Sequence, residues 1–439
     1  MASRKSTFKL YPNATQRVAL VRVTAAHCRV YNTLLETSKL RFKAGLPAYT
    51  RASVCQDTKT IRNALGDIKA NTLAQSLQVT GERLVKAFDR FFDRVSKGET
   101  PGYPRFKSSA RFPGFGFKQH TQGYKLLRKK TVANGRKDGW AYGAVQLSGI
   151  GTISMKGCAR FDGQPSSAEV CREGDDWYLS VTFTVDESAV KRECEDLAPF
   201  AFDAGLTDLL TTLEYQDGKA VYDTVSNPRW LKSKLSDLVQ AQRAVSLLEQ
   251  SAIQASGKTK GFPVGPQLKA AYARMRSIHK KVRNQREDFY HKLSALMVSR
   301  FGHIITEELS PGSILGDQSK GSALKRSVSD AAWGGFLDKL RSKAEEAGAK
   351  YEEVPTRLVK PTRRCSNCGV VKTREEMPLS QRQYACAACG FALPRDRNAC
   401  RNMVRYSLEG AWWDTDIETG PGTGPETPPE KAIAPIQAE

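Results

Sequence analysis

The stretch Arg363–Asn402, RRCSNCGVVKTREEMPLSQRQYACAACGFALPRDRNACRN, decides how the rest of the chain is read. It holds two C-x2-C pairs, Cys365/Cys368 and Cys386/Cys389, seventeen residues apart, each followed at once by a glycine. Two thiolates spaced in this way grip one Zn²⁺ from a tight knuckle turn, and a second knuckle completes a tetrahedral S4 site. Such a site has no open coordination position, so the metal folds the segment and does no chemistry. Asp396 follows in DRNACRN, at the start of an expected helix. A zinc ribbon that delivers an acid onto a helix points to a metal-dependent nuclease.

Composition agrees with that direction. The 439 residues suffice for two or three domains, each with its own core. Lys and Arg number 68 against 46 Asp and Glu, a net charge of +22. The segment from Trp412 to Glu439 is acidic, which leaves about +27 on the body. A charge of that size implies a polyanionic partner. Nucleic acid is favoured over a membrane, because no apolar run reaches the roughly 18 residues of a spanning helix and no signal-like h-region opens the chain. The cysteines outside the ribbon (Cys28, Cys55, Cys158, Cys171, Cys194, Cys400) show no paired spacing, as expected of free thiols in a reducing cytosol.

Residues Thr7–Tyr11 read as a short strand, and Asn13 with Gln16 as a capping box opening a helix. That helix shows an apolar face at Val21, Ala25, Cys28, Tyr31, Leu34 and Leu35. A second helix carries Leu73, Leu77, Leu84, Phe88, Phe91 and Val95, and the two are expected to pack together. In PGYPRFKSSARFPGFGFK, from Pro101, the cations Arg105, Lys107, Arg111 and Lys118 interleave with Tyr103, Phe106, Phe112, Phe115 and Phe117. Either these rings stack on bases while the cations hold phosphates, or the phenylalanines are the buried sides of strands. Arg105, Lys107 and Arg111 are the candidate contacts to a nucleic-acid backbone. Strand patterns follow at Trp140–Leu147, Thr152–Met155, Ala168–Arg172 and Trp177–Val185, a β-barrel-like region.

From about Leu197 the pattern reads as three antiparallel strands with an Asp217-Gly218 turn. Two long helices (about Trp230–Ala255 and Gln267–Phe301) and the strand HIITE come next. Ser310–Ser322 reads as a Gly/Ser-rich loop, followed by a helix through Trp333 and Leu340, a strand at Tyr351–Val354, the ribbon, and a helix from Asp396 to Tyr406. The basic face of the second long helix (Asn284, Gln285, Arg286, His291, Lys292) is read as solvated. This order, with acids ending the first and fourth strands and opening a late helix, is that of RNase H-like nucleases. Phosphodiester cleavage by two Mg²⁺ ions about 4 Å apart needs hard oxygen ligands from separate elements. Asp203 and Asp396 are two candidates; Glu307 and Glu308 compete for the third, since strand alternation lets one of them face the site.

FKLYPNATQ, GYPRFKSSARF, FDAGLTDL, IITEEL, DAAWGGF and the ribbon with RDRNACRN together resemble the TnpB family, transposon-encoded RNA-guided DNA endonucleases related to miniature type V CRISPR effectors. The resemblance spans roughly residues 5–408. It implies a multidomain α+β protein: a β-barrel wedge domain (1–20 and 100–195) with a helical recognition insert (21–99), and an RNase H-like (RuvC-type) α/β nuclease domain (196–360 and 391–410) with an inserted zinc ribbon (361–390). Residues 411–439 are expected to be a disordered acidic tail. Residue by residue it implies Asp203, Glu307 and Asp396 as the catalytic, Mg²⁺-binding triad, resolving Glu307 over Glu308. It also implies structural Zn²⁺ on Cys365, Cys368, Cys386 and Cys389. The chain departs from the family at Ala204, where leucine is usual, at Pro394, often a further Asp, and at Leu358–Thr362. The expected partners are a guide RNA and double-stranded target DNA, in the cytoplasm of a prokaryote at its nucleoid. The alternatives are a miniature type V effector with the same chemistry, an RNA-guided repressor that binds without cutting, and a strand-joining transposase.

Overall fold

The structure is a computed structural model that describes residues 2–130, 140–157, 163–186, 198–378 and 380–409. Cys158, Cys194 and the acidic segment 411–439 lie outside the described residues. The chain divides into two compact units, Met1–Ala189 and Val190–Glu439.

The first unit opens with strand β1 (Ala2–Tyr11) and helices α1 (Ala14–Lys43), α2 (Arg51–Ala64), α3 (Gly66–Asn71) and α4 (Ala74–Ser96). Strands β2 (Gly114–Phe117), β3 (Tyr124–Lys130), β4 (Trp140–Leu147), β5 (Gly151–Lys156), β6 (Gln164–Glu173) and β7 (Asp176–Val185) follow. The seven strands form one antiparallel sheet in the order β2-β6-β7-β1-β5-β4-β3. Its two edges approach each other: the Phe117 and Tyr124 rings lie 5.8 Å apart, and Tyr124 Oη donates to the Ser166 carbonyl of β6 at 3.0 Å. The sheet is thus a nearly closed barrel around Phe8, Leu126, Val145, Ile153, Leu179 and Phe183.

The capping box forms as read, with Asn13 and Gln16 exchanging bonds of 2.9 and 3.0 Å. The core face of α1 differs from the sequence reading. Val21 is exposed, and Leu20, Val23, Thr24 and His27 take its place. Apolar periodicity misses this face because one of its central members is a histidine. His27 donates to or accepts from Thr80 Oγ1 (2.7 Å) and Ser76 Oγ (3.2 Å), and burial, aided by Arg83, lowers its pKa to about 3, so the ring is neutral. Helices α2 and α3 were not legible as elements; α2 buries only Val54 and Thr58, too few for a periodic signal. Strand β1 begins five residues earlier than the alternation suggests, because its register on β7 starts at Ala2↔Val185.

The aromatic–basic stretch resolves into two halves. Phe112, Phe115 and Phe117 are buried, Phe112 edge-on to Tyr31 of α1 (5.8 Å) and the other two on β2, where Phe115 stacks on His27 of α1 (5.4 Å) and Phe117 meets Tyr124 of β3. Tyr103 and Phe106 remain exposed. Helix α4 sits close on β2 because Gly116 presents no side chain to Val79, and Arg83 donates to the Gly114 carbonyl at 2.8 Å.

The second unit contains β8 (Pro199–Ala204), β9 (Asp208–Gln216), β10 (Lys219–Ser226), α5 (Trp230–Ser233), α6 (Leu235–Ser256), α7 (Pro266–Arg300), β11 (His303–Glu307) and α8 (Pro311–Gly316). After these come α9 (Ser322–Ala331), α10 (Trp333–Ala347), β12 (Lys350–Val354), α11 (Thr356–Val359), β13 (Gln383–Ala385), β14 (Ala392–Pro394) and α12 (Arg395–Glu409). The sheet order is β10-β9-β8-β11-β12; β8 to β10 form an antiparallel meander, while β11 runs parallel to β8 and to β12. Asp217 (φ 49°) and Gly218 (φ 73°) make the expected tight turn. The stretch expected as a loop at Ser310–Ser322 holds α8 instead; this six-residue helix buries nothing, so no apolar pattern marks it.

Strand alternation divides the sheet's two faces. Phe200, Phe202 and Ile304 point to one, where they pack with Tyr290, Met297, Phe336 and Leu340 of α7 and α10. Ala201, Leu213 and Ile305 point to the other, against Cys400, Met403 and Val404 of α12.

Gly114 has φ +133°, and a Cβ there would lie 1.9 Å from the Val170 carbonyl oxygen. Gly114→Ala is expected to lose about 2–4 kcal/mol, read as a lowered urea midpoint. Gly149→Ala, at φ +73° with nothing within 4 Å of its Cβ, is expected to lose only about 1–2 kcal/mol.

Candidate functional site

The parity that buries Ala201 and Ile305 under α12 carries Asp203 and Glu307 to the same face, at the ends of two adjacent strands. The parallel register Thr306↔Phe202 sets Glu307 beside Asp203. Glu308, one position on, has the opposite parity and is exposed; its amide donates to the Val354 carbonyl at 2.9 Å. Asp396 enters from above, in the first turn of α12, where the helix dipole favours a carboxylate. Helix α12 comes close to β8 because Ala201, Ala399 and Cys400 are small and fully buried, and Cys400 Sγ donates to the Thr211 carbonyl at 3.2 Å.

The three acids act on one another electrically. Burial, then the carboxylates of Glu307 and Asp396, raise Asp203 well above the ordinary carboxylate range, opposed by Arg395 and the Ala204 amide. Burial and Asp396 raise Glu307 to about 7, against a hydrogen bond from Thr356. Arg395 is nine-tenths buried and bonds Asp396 through Nε at 3.1 Å, with Arg382 at 3.9 Å from the same carboxylate. The negative charge therefore exceeds what the local cations neutralise, the condition under which a divalent ion binds and displaces protons.

The four ribbon cysteines form a second cluster. Their sulfurs all lie within 4.8 Å of one another, with Cys365–Cys389 at 3.6 Å and Cys368–Cys386 at 3.5 Å. A tetrahedral S4 site with bonds of about 2.3 Å has S···S edges of about 3.8 Å, so this donor set fits zinc. Among the described residues no other group of three or more possible ligands is gathered so tightly; the three carboxylates stand more openly. Each knuckle closes through the amide of its glycine, Gly369 to Cys365 O and Gly390 to Cys386 O, both at 3.0 Å, with φ of 80° and 73°. At Cys389 burial pushes the thiol up, but the Phe391 amide, Asn367 and the neighbouring thiols outweigh it and lower the pKa to about 7.

Two residues that the sequence reading passed over join the clusters. Asn398 and Asn402, both fully buried on α12, grip the chain entering the first knuckle. Asn398 accepts from the Ser366 amide at 3.0 Å and donates to the Arg364 carbonyl at 2.7 Å; Asn402 donates to the Pro361 and Arg364 carbonyls at 2.6 and 2.7 Å. Arg405 adds a bond to the Asn367 carbonyl at 2.9 Å. The signal was the i, i+4 spacing of two asparagines in a helix, which puts both on one face. Of the candidate backbone contacts, Arg105 and Arg111 are exposed in the first unit, while Lys107 is half-buried with its ammonium 5.3 Å from the Tyr31 ring.

With this geometry in view, residues 333–403 match the family described as Cas12f1-like, TNB domain. The match takes in α10, β12, the ribbon and the acid-bearing turn of α12. The likeness is to TnpB-type proteins. Over 424 residues, 92% of this chain and 89% of the relative, the chain is 26% identical to a putative RNA-guided DNA endonuclease of Streptomyces pristinaespiralis. It is 25% identical over 414 residues, 90% of each protein, to the putative RNA-guided DNA endonuclease InsQ of Escherichia coli K12. TnpB-like protein L79 of Acanthamoeba polyphaga mimivirus is 30% identical over 137 residues, 31% of this chain and 25% of that one. Among solved structures, a Cas12f1–sgRNA–target DNA complex superposes with a TM-score of 0.49 at 12% identity, covering 92% of this chain and 98% of that one. No helix among the described residues is long and apolar enough to cross a membrane.

Below about pH 4.5 Glu307 is protonated in the folded and unfolded chains alike; between there and about 7 the unfolded chain ionises first. Without divalent ions, stability is therefore expected to fall as pH rises through that interval and to stay low above it. Glu307→Gln should flatten this part of the melting-temperature profile between pH 4.5 and 8. Asn398→Ala leaves the buried Ser366 amide without its partner and the Arg364 carbonyl with the bond from Asn402, expected to cost about 1–3 kcal/mol. Its check is a lower melting temperature together with faster modification of the ribbon thiols by a disulfide reagent.

Proposed function

We propose that the chain is an RNA-guided DNA endonuclease. It binds a structured guide RNA, reads a short motif beside its target, and cleaves DNA at the Asp203/Glu307/Asp396 site. The observation that carries this reading is the convergence of three acids, from two strand ends and a helix start, on one face of a sheet, where burial first and then the neighbouring carboxylates raise the proton affinity of Asp203 and Glu307. Names borne by relatives along nine-tenths of the chain support it. So does the net charge of +22, suited to an RNA–DNA duplex recognised through its backbone.

In this reading the second unit is an RNase H-like, RuvC-type nuclease (196–360 and 391–410) with a zinc ribbon (361–390). The first is a wedge barrel (1–20 and 100–195) with a helical recognition insert (21–99). Asp203 and Glu307 would hold Mg²⁺ from the sheet and Asp396 from the helix. When bound, a pair of such ions activates water and stabilises the leaving oxygen. The protein's own part is to fix the three carboxylates on rigid elements, give up the protons of Asp203 and Glu307 as metal enters, and balance excess charge through Arg395. Cys365, Cys368, Cys386 and Cys389 would hold structural Zn²⁺, and Asn398 and Asn402 tie that knuckle to the helix carrying Asp396. Arg105, Lys107 and Arg111 are assigned to nucleic-acid backbone contacts. The Cas12f1-like match also favours a close second reading, a miniature type V effector with the same chemistry. A neighbouring repeat array rather than a transposon end would mark it.

The test has two parts. Protein purified from its native locus is expected to carry one discrete structured RNA with a variable 3′ end, identified by sequencing. Asp203→Ala is expected to reduce Mg²⁺-dependent cleavage of matched DNA by at least about 10³-fold while RNA and DNA binding persist. Unchanged cleavage by that variant refutes the site assignment.

A further inference from the structure

The stretch Pro101–Arg111 leaves the end of α4 and crosses to α1, where it is anchored. The Lys107 amide donates to Asn32 Oδ1 at 2.9 Å, and its carbonyl accepts from Asn32 Nδ2 at 2.8 Å. Held on this course, Tyr103 and Phe106 project outward, 44% and 50% exposed. Tyr103 meets Phe91 edge-on at 5.4 Å, and Phe91 meets Phe92, itself 53% exposed, at 5.2 Å. At the other end the ammonium of Lys39 lies 4.2 Å from the Phe106 ring. An aromatic strip therefore runs from α4 through the crossing stretch to α1. Leaving a ring of this size in water forgoes roughly 1.5–3 kcal/mol of burial, so three together mark a binding surface.

The charge around the strip says what binds there. PGYPRFKSSAR (101–111) carries three cations and no carboxylate, and TSKLRFKAGL (37–46), at the end of α1, does the same. Arg105 and Arg111 form no ion pair among the described residues. A second copy of the chain would set these cations against their own images across a two-fold contact, which like-charge repulsion opposes. A duplex hides its bases and offers phosphates only. Unpaired nucleotides offer flat faces to the rings and phosphates to the cations at once, and folded RNA displays such nucleotides in its loops.

We propose that the Phe92–Tyr103–Phe106 strip, with Arg105 and Arg111 beside it, binds unpaired loop nucleotides of a structured RNA, bases on the rings and phosphates on the guanidinium groups. The inference rests on the RNA-guided reading for the source of that RNA. It separates two roles within one basic stretch: Phe112, Phe115 and Phe117 build the unit, and Tyr103 and Phe106 receive the ligand.

The experiment measures binding of the full chain to an RNA hairpin with an unpaired uridine-rich loop, and to the same stem as a blunt duplex. Tyr103→Ala and Phe106→Ala are each expected to weaken hairpin binding by about 5- to 100-fold, with duplex binding within twofold and the chain still folding cooperatively at a slightly lower melting temperature; Tyr103→Phe should restore it. Arg105→Gln should weaken both RNAs and lower the salt slope by about one. The proposal is overturned if the alanine variants bind the hairpin within twofold of the parent, or lose both RNAs alike. It is equally overturned if sedimentation shows a dimer that these variants convert to monomer. Cleavage is not the readout, so an active Asp203→Ala variant would refute the nuclease site and leave this result standing.

Discussion

The contact of α12 with the face of the sheet that bears Ala201 and Ile305 governs the second unit. Three small buried residues, Ala201, Ala399 and Cys400, let the helix lie close on β8. With the helix there, the two-residue period of β8 and β11 leaves Asp203 and Glu307 no other direction than toward its first turn. A bulkier residue at any of the three would lift Asp396 away. The far end of α12 is held as well: Ser407 bonds Glu352, midway along β12, at 2.7 Å and lies 3.3 Å from His303 at the start of β11. With Asn398 and Asn402 bound to the ribbon's entry, the helix is fixed along its length.

That rigidity is what the electrostatics demand. Carboxylates that share one buried face repel, and a loose helix would relieve the repulsion by moving away. Here Arg395 relieves only part of it, and burial together with the remaining repulsion raises the proton affinity of Asp203 and Glu307. The ribbon shows the opposite economy. Its sulfurs are already spaced as a tetrahedral metal would hold them, and its knuckles are closed by backbone bonds.

The sequence made the second unit easy to read and the first harder. FDAGLTDL, HIITE and the cysteine pairs are strong local signals, because a buried strand run, a Gly-marked turn and a C-x2-C spacing each have few other readings. Glu307 against Glu308 was undecidable from spacing, yet follows at once from the parity of Ile305 once α12 is seen to cover that face. In the first unit the signals were diluted. His27 and Thr24 occupy core positions as satisfied or buried polar groups, α2 buries two residues in fourteen, and the exposed and buried aromatics of residues 103–117 look alike in one dimension. What separates Tyr103 from Phe115 is the pairing of β2 with β6 and its cover by α1, long-range contacts that no window of sequence contains.

The most direct measurement of the central claim is a crystal of the protein soaked in Mn²⁺ near pH 8 and recorded for anomalous scattering. The account predicts density about 2.1 Å from carboxylate oxygens of Asp203, Glu307 and Asp396, lost in Asp203→Ala, with a separate zinc signal among the four cysteines. Manganese bound elsewhere, or carboxylates that stay apart with no ion between them, would contradict it.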